Sequence, residues 1–370
     1  MKSNVLFAAV DVDDNSYHLC IFNPISEESV VFKTDPSPDH LIRLLQRKNL
    51  AKEHLKICYE ACHLVFFIQR KLTKAGYNCE VIAPSLTPVS PGRSQKTDRI
   101  DCEKLAKYYA MNLLTPVRIP DTEDESTRDL LRSRRFAVQQ QTMIRNHITS
   151  FCKRYDLNYQ RDTGRKSRWT KSFHEWLDAQ SNKLEHSAAK VNLRILIKQH
   201  QEITTNLEIF DSEIEHIAQS DRYREPVKAL CCFKGICEFN ALVFASELGD
   251  IKRFDHPRRL TSYAGFDIVE YSSGGKEKKL HISKKGNAHV RRAAVDACTF
   301  TMKSIAVGRK LRERREGAKK EYIEISDRCT TRLYKKGQRL LHAGKNKNKV
   351  RVACARELLG FIWEALKAAA

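Results

Sequence analysis

Along the first third of the chain, apolar and β-branched residues come in short runs divided by turn residues. Residues 4–12 (NVLFAAVDV), 17–23 (YHLCIFN) and 29–34 (SVVFKT) are separated by DDNS and PISEE, which predicts a three-strand meander. Helical spacing follows over 41–50. Two further strands, 55–60 (LKICYE) and 79–84 (CEVIAP), flank an amphipathic helix over roughly 63–76 that ends at Gly76. The pattern then changes period. Residues 122–156 and 184–219 are long, polar and helical, with Leu130, Ala137, Ile144, Ile148 and Phe151 at steps of three, four or seven, the spacing of an antiparallel coiled-coil hairpin. Between these arms the polar stretch 157–183 carries Trp169 and Trp176, either a tip or dimer contact or buried packing anchors. From Tyr223 onward, LCCFKGICEFNALVFASELGD (230–250) sets Gly235 between two apolar helical stretches, like the turn of a helix-hairpin-helix, whose backbone N–H groups can meet a phosphate. A Gly/Ser loop then feeds a basic segment (271–292), and Lys/Arg-rich helices run to the end.

Three strands followed by α-β-α-β is a mixed α/β layer, and it is the element order of the ribonuclease H-like fold. The expected organisation is therefore an α/β ribonuclease H-like domain over 1–116, a coiled-coil hairpin with a polar tip over 117–222, and a basic, mainly α-helical domain over 223–370 with a helix-hairpin-helix-like element.

Composition narrows the class. The 370 residues suffice for two or three domains with real cores. No apolar run approaches the roughly 18 residues of a membrane span, and the N-terminus turns acidic too early for a secretory signal. A cytoplasmic protein is expected. The 12 cysteines show no Cys-x-x-Cys pair and no zinc-type spacing, so they read as reduced, mostly buried thiols. The formal charge of +21 is unevenly spread: residues 1–115 carry 15 Lys/Arg against 13 Asp/Glu, whereas 276–370 carry 26 against 9. A surplus concentrated in the last quarter favours a polyanionic partner.

Acidic residues in the first part of the chain stand where catalysis could use them. Asp11 ends the first apolar strand and Glu60 ends LKICY in the same way; in a ribonuclease H-like sheet those two strands are neighbours. Asp98 and Asp101 lie three apart where SQKTDRIDCEKLA enters a helix, so they share a face. Each acid alone suits a helix cap or a surface. Four converging carboxylates repel one another unless divalent cations neutralise them, and Mg²⁺ prefers such oxygen ligands; two ions about 4 Å apart would polarise a phosphodiester and its nucleophile. The cation reading therefore overtakes capping for the set as a whole. A second constellation is Ser272-Ser273-Gly274-Gly275, set among Lys276, Lys278, Lys279, Lys284, Lys285, Arg291 and Arg292. Such a field could hold a scissile phosphate and favour a serine alkoxide, giving a covalent phosphoserine.

These stretches together resemble the DEDD-type transposases of the insertion-sequence one-ten family, bridge-RNA-guided DNA recombinases with a RuvC-like N-terminal domain. The resemblance covers nearly the whole chain. Asp11 in AVDV, Glu60 in YEAC, and Asp98 and Asp101 in KTDRIDCEKLA match the four acidic positions. FKGICEFNALVFASELGDIKRFDHPRRLTSYAGF (233–266) and EYSSGGKEKKLHISKKGNAHVRR (270–292) match the C-terminal signature. In the family the serine directly before the glycine is the nucleophile, which implies Ser273, with Ser272 the competing assignment. The resemblance further implies that a structured RNA pairs with donor and target DNA, that the acidic and serine centres form a composite site, and that the protein works as a homo-oligomer, a dimer or tetramer. One departure is His63 with bulky neighbours in EACHLVFF, where family members often carry a small residue. Two rivals remain at this point: a metal-only ribonuclease H-like nuclease or Holliday-junction resolvase, and a non-catalytic nucleic-acid-binding protein whose acids only cap helices.

Overall fold

The computed structural model describes residues 5–62, 66–88, 97–273 and 276–370, with only the backbone described at 271–273 and 276–280. The chain divides into two compact units, Met1–Pro120 and Asp121–Ala370.

The first unit runs β1 (Leu6–Val12), β2 (Tyr17–Phe22), β3 (Ser29–Thr34), α1 (Pro38–Arg47), β4 (Leu55–Glu60), α2 (Phe67–Lys74), β5 (Asn78–Ile82) and α3 (Asp98–Ala110). Its sheet has the order β3-β2-β1-β4-β5. β1 and β3 run antiparallel to β2, while β4 runs parallel to β1 and to β5. Period-two alternation buries both faces. Ala8, Val10, Leu19, Ile57 and Tyr59 pack with Leu41 and Leu45 of α1 and Ile68 and Leu72 of α2. The alternate residues Ala9, Cys20, Cys58 and Ile82 pack with Cys102, Leu105, Ala106 and Tyr109 of α3. This is the mixed α/β layer expected from the strand and helix periods.

The second unit is mostly helical. α4 (Thr122–Arg154), α5 (Tyr159–Thr163), α6 (Lys171–Lys183) and α7 (Ser187–Ala218) come first. α4 and α7 form an antiparallel hairpin, with successive cross-links from Arg134 to Asp211, Gln141 to Thr204 and Arg145 to His200. At its far end α5 and α6 close a small core of Ile148, Phe151, Tyr159, Phe173, Trp176 and Ile197. Trp176 stacks on Phe173, and Trp169 stacks on His200 with 4.8 Å between ring centroids. Both tryptophans are packing anchors of this core.

The chain continues as α8 (Arg224–Cys231), α9 (Glu238–Leu248), α10 (Pro257–Tyr263), β6 (Ile268–Ser273), β7 (Lys276–Ile282), α11 (Ala288–Thr301), α12 (Arg309–Arg315), α13 (Lys320–His342) and α14 (Lys347–Ala369). Their common core includes Phe233, Phe244, Phe266, Ala294, Leu333 and Leu359, and α9 is apolar on nearly all sides because it lies at the centre. One element differs from expectation. The segment read as a loop feeding basic residues is an antiparallel hairpin, with Ser273 paired to Lys276 and Ile268 to Ile282. A two-residue Gly-Gly interval between the paired residues is a hairpin signal; KEKK has little strand propensity and obscured it. Among the described residues no helix is long and apolar enough to cross a membrane.

Candidate active site

The acidic site follows from strand alternation. Asp11 lies two residues beyond Ala9, and Glu60 two beyond Cys58, so both stand on the side of the sheet that α3 covers. The β1–β2 register sets His18 directly opposite Asp11, two residues before Cys20 and on the same side. α3 supplies the other two acids from its first turn. Its N-cap is Thr97, whose hydroxyl accepts from the Ile100 amide at 3.3 Å. Capping is therefore done by a neutral residue, and Asp98 and Asp101 are left facing the cavity. Asp11, Glu60, Asp98 and Asp101 line one cavity of about 760 Å³ together with Asp13, Thr87 and Lys104. Glu60 Oε1 accepts from the Thr87 hydroxyl at 2.8 Å.

The buried thiol of Cys102 ties α3 to the strands beneath. Cys102 Sγ accepts from the Cys20 amide and lies 3.1 Å from both the Ala9 and His18 carbonyl oxygens, to either of which it can donate its one proton. The residue after Asp101 is thus pinned to the backbone two residues from Asp11. Burial pushes the Asp11 carboxyl above its usual range, and the negative charges of Asp98 and then Asp101 push it the same way. One ligand atom each from Asp11, His18 and Asp98 lies within 4.8 Å of the others. Mutually repelling, partly desolvated oxygen donors fit a hard divalent cation, which would relieve both costs. Among the described residues, Asp11, Asp98 and His18 bring ligand atoms within reach of a single ion, while Glu60 and Asp101 line the same cavity outside that group.

In the second unit, Ser272 and Ser273 are the last residues of β6, and Lys276, Lys278 and Lys279 lie on β7. Their side chains, together with Gly274 and Gly275, lie outside the described residues, as does His63. Lys284, Lys285 and Arg292 are exposed. Arg291 is committed to structure, its guanidinium donating to the Ala264 carbonyl at 2.8 Å. Gly235 has φ +87°, and a Cβ there would lie 2.3 Å from the Ala297 carbonyl oxygen, so only glycine allows this turn to pack on α11. At the end of α9, Glu247 is 3% exposed and holds Arg132 at 2.8 Å, Arg128 at 3.8 Å and the Asn287 amide at 2.8 Å. Asn287 in turn caps α11 by accepting from the His289 and Val290 amides.

Comparison with known proteins matches residues 8–156 to the DEDD transposases of the IS110 type and residues 227–313 to the transposase IS116/IS110/IS902 family. A putative transposase, y4qE, of Sinorhizobium fredii is 32% identical over 312 residues, covering 84% of this chain and 75% of that protein. The chain belongs to the IS110 family of transposases. It is also similar to the transposase for insertion sequence element IS1533 of Leptospira borgpetersenii, at 27% identity over 309 residues, or 80% of this chain and 85% of the relative. As a member of that family it is an insertion-sequence DNA transposase.

Several residues around the transposase's acidic cavity escape inspection of the acids alone. Thr87 and Cys102 have no sequence signal beyond their positions. His18 did have one: a meander whose first turn closes Val12 on Tyr17 brings residue 11 opposite residue 18. Glu247 carried no signal, because its partners on α4 lie 115 or more residues away in sequence.

Proposed function

We propose that this transposase cuts and rejoins DNA through a 5′-phosphoserine at Ser273, with Asp11, Glu60, Asp98 and Asp101 holding divalent cations, two Mg²⁺ ions by chemical preference, and with a structured bridge RNA selecting donor and target DNA. The observation that carries the acidic half of this reading is that all four carboxylates line one cavity while Thr97 caps α3. It removes the main reason to regard Asp98 and Asp101 as caps, and it disfavours a purely binding protein. The strand order β3-β2-β1-β4-β5, with β2 alone reversed, supports the ribonuclease H-like, RuvC-like reading of residues 1–116.

Bound cations would supply charge neutralisation at the scissile phosphodiester. The carboxylates hold and orient them, and Cys102 keeps α3 in place. The Ser273 hydroxyl oxygen attacks phosphorus; the new P–O bond forms as the bond to the 3′ oxygen breaks, and that oxygen leaves as a 3′-hydroxyl carrying a proton in place of the one serine loses. Attack by a second 3′-hydroxyl reverses the step on a new partner strand, so rejoining needs no external energy source. Lys276, Lys278, Lys279, Lys284, Lys285 and Arg292 form the cationic field for the phosphate backbone, with Arg291 supporting it and the Gly235 turn as a further phosphate contact. The α4–α7 hairpin, within 117–222, is an antiparallel coiled coil within one copy, and the protein works as a dimer or tetramer. Residues 223–370 carry the serine chemistry, and the protein acts in the cytoplasm on nucleoid DNA.

The deciding experiment incubates the full chain with bridge RNA, Mg²⁺ and a suicide DNA substrate, then denatures it. A covalent protein–DNA adduct is expected, lost in Ser273→Ala. An adduct lost only in Ser272→Ala moves the nucleophile by one residue. Cleavage with no adduct in any variant replaces the serine mechanism with the metal-only resolvase reading.

A further inference from the structure

The geometry points to His18 as a fifth ligand of the acidic cavity, its Nδ1 joining Asp11 and Asp98 around one cation and giving that position a nitrogen donor. The inference rests on the reading of the acids as a cation site and adds a residue outside the four-acid set.

Three observations carry it. The β1–β2 register fixes the His18 and Asp11 backbones opposite each other, and both side chains stand on the α3 side of the sheet. The ring nitrogen and the two carboxylates come within 4.8 Å of one another, with Nδ1 3.9 Å from Asp98 Oδ2, too long for a hydrogen bond. Nδ1 is shielded from solvent and has no hydrogen-bond partner among the described residues. A buried ring nitrogen left unpaired beside two carboxylates is costly in a folded protein. A shared cation satisfies all three groups at once. The backbone of His18 is also held, since its carbonyl faces the Cys102 thiol at 3.1 Å. The His18 backbone and the first turns of α3 are therefore joined through one sulfur atom.

The chemical consequence is a shift in metal preference. Carboxylates alone suit Mg²⁺, whereas an imidazole nitrogen favours first-row transition ions. His18 should make this site bind Mn²⁺ more tightly relative to Mg²⁺ than four carboxylates would.

The test is pulsed electron paramagnetic resonance on the full-length protein loaded with Mn²⁺, with the Mn²⁺ Kd measured by titration in parallel. Wild type should show modulation from a directly bound nitrogen, and labelling all histidines with ¹⁵N should change its pattern without altering the protein. His18→Ala should lose that modulation and raise the Mn²⁺ Kd by about tenfold or more, with a smaller change for Mg²⁺. The near-isosteric His18→Asn should behave likewise if alanine disturbs folding. Mn²⁺ binding that requires Asp11 but shows no nitrogen modulation overturns the role of His18 and leaves the acidic site standing. Modulation that survives in both His18 variants overturns it too. Failure of wild type to bind Mn²⁺ overturns the acidic-site reading and this inference together.

Discussion

Replacing Asp11 by its isostere asparagine should make the cation-free protein more stable while abolishing DNA cleavage. Asp11 and Asp98 bring ligand atoms within 4.8 Å of each other. Two unit charges at that separation repel by about 0.9 kcal/mol in bulk water and by several times more at lower dielectric. Asp11 is half-buried and Asp101 adds to the same field, so a gain of about 1–2 kcal/mol is expected in EDTA at pH 8. For a unit of this size that is a rise of about 4 °C or more in Tm, read by scanning calorimetry of the full chain. The pH dependence has a definite sign. The Asp11 carboxyl is held above its unfolded value by burial and by Asp98 and Asp101, so the penalty in wild type is full at pH above the raised folded value. It fades as pH falls toward the ordinary carboxylate range, and the advantage of asparagine fades with it. Adding Mg²⁺ or Mn²⁺ should then reverse the ranking, because ligand present at about 100 times Kd stabilises wild type by about 2.7 kcal/mol and the variant has lost a ligand. A variant that melts lower than wild type in EDTA, or equal stabilisation of both proteins by cation, would refute the reasoning and make Asp11 an ordinary structural carboxylate.

Two further outcomes concern the second unit. Glu247→Ala should cost about 3–5 kcal/mol, measured as a fall in urea midpoint, because Arg128, Arg132 and Asn287 lose a buried partner. Burial alone would raise the Glu247 carboxyl, but Arg132, Asn287 and Arg128 outweigh it and hold the group below its usual range. Its contribution is therefore full above the unfolded value and lost as pH falls through the depressed folded one, so an acid-insensitive difference between wild type and variant would contradict the assignment. The double variant Lys284→Ala/Lys285→Ala should lower the slope of log affinity for DNA against log salt by about 1.8 if each lysine meets a duplex phosphate. Fluorescence anisotropy across salt concentrations checks this, and an unchanged slope would remove these residues from the interface.

The helix at Asp98 shows how far local pattern reaches. Two acids three apart at a helix start are compatible with capping and with lining a site alike, and a neighbour bears on which: Thr97 takes the cap, and both acids line the cavity. The five strands, the long hairpin helices and the apolar α9 were legible because period two and period 3.6 are written residue by residue. The β6–β7 hairpin was not, since its basic strand lacks the side chains that mark strands. Trp169 and Trp176 stood equally for a contact surface or a core until their partners, among them His200 on a distant helix, came into view.

The sequence by itself determined which residues alternate, which recur at helical spacing, where positive charge accumulates and, through the order of its motifs, the family. Only the tertiary structure decided what those patterns meet: that His18 faces Asp11, that one buried thiol couples α3 to β1 and β2, and that Glu247 joins α4 to the cap of α11. The physical reason is one of range. Periodicity assigns a side chain to a face through the geometry of a few neighbouring peptide units, but the atoms on the opposing face come from segments up to more than a hundred residues away. Their identity is settled by strand register and by the packing of both sheet faces, which no local window contains.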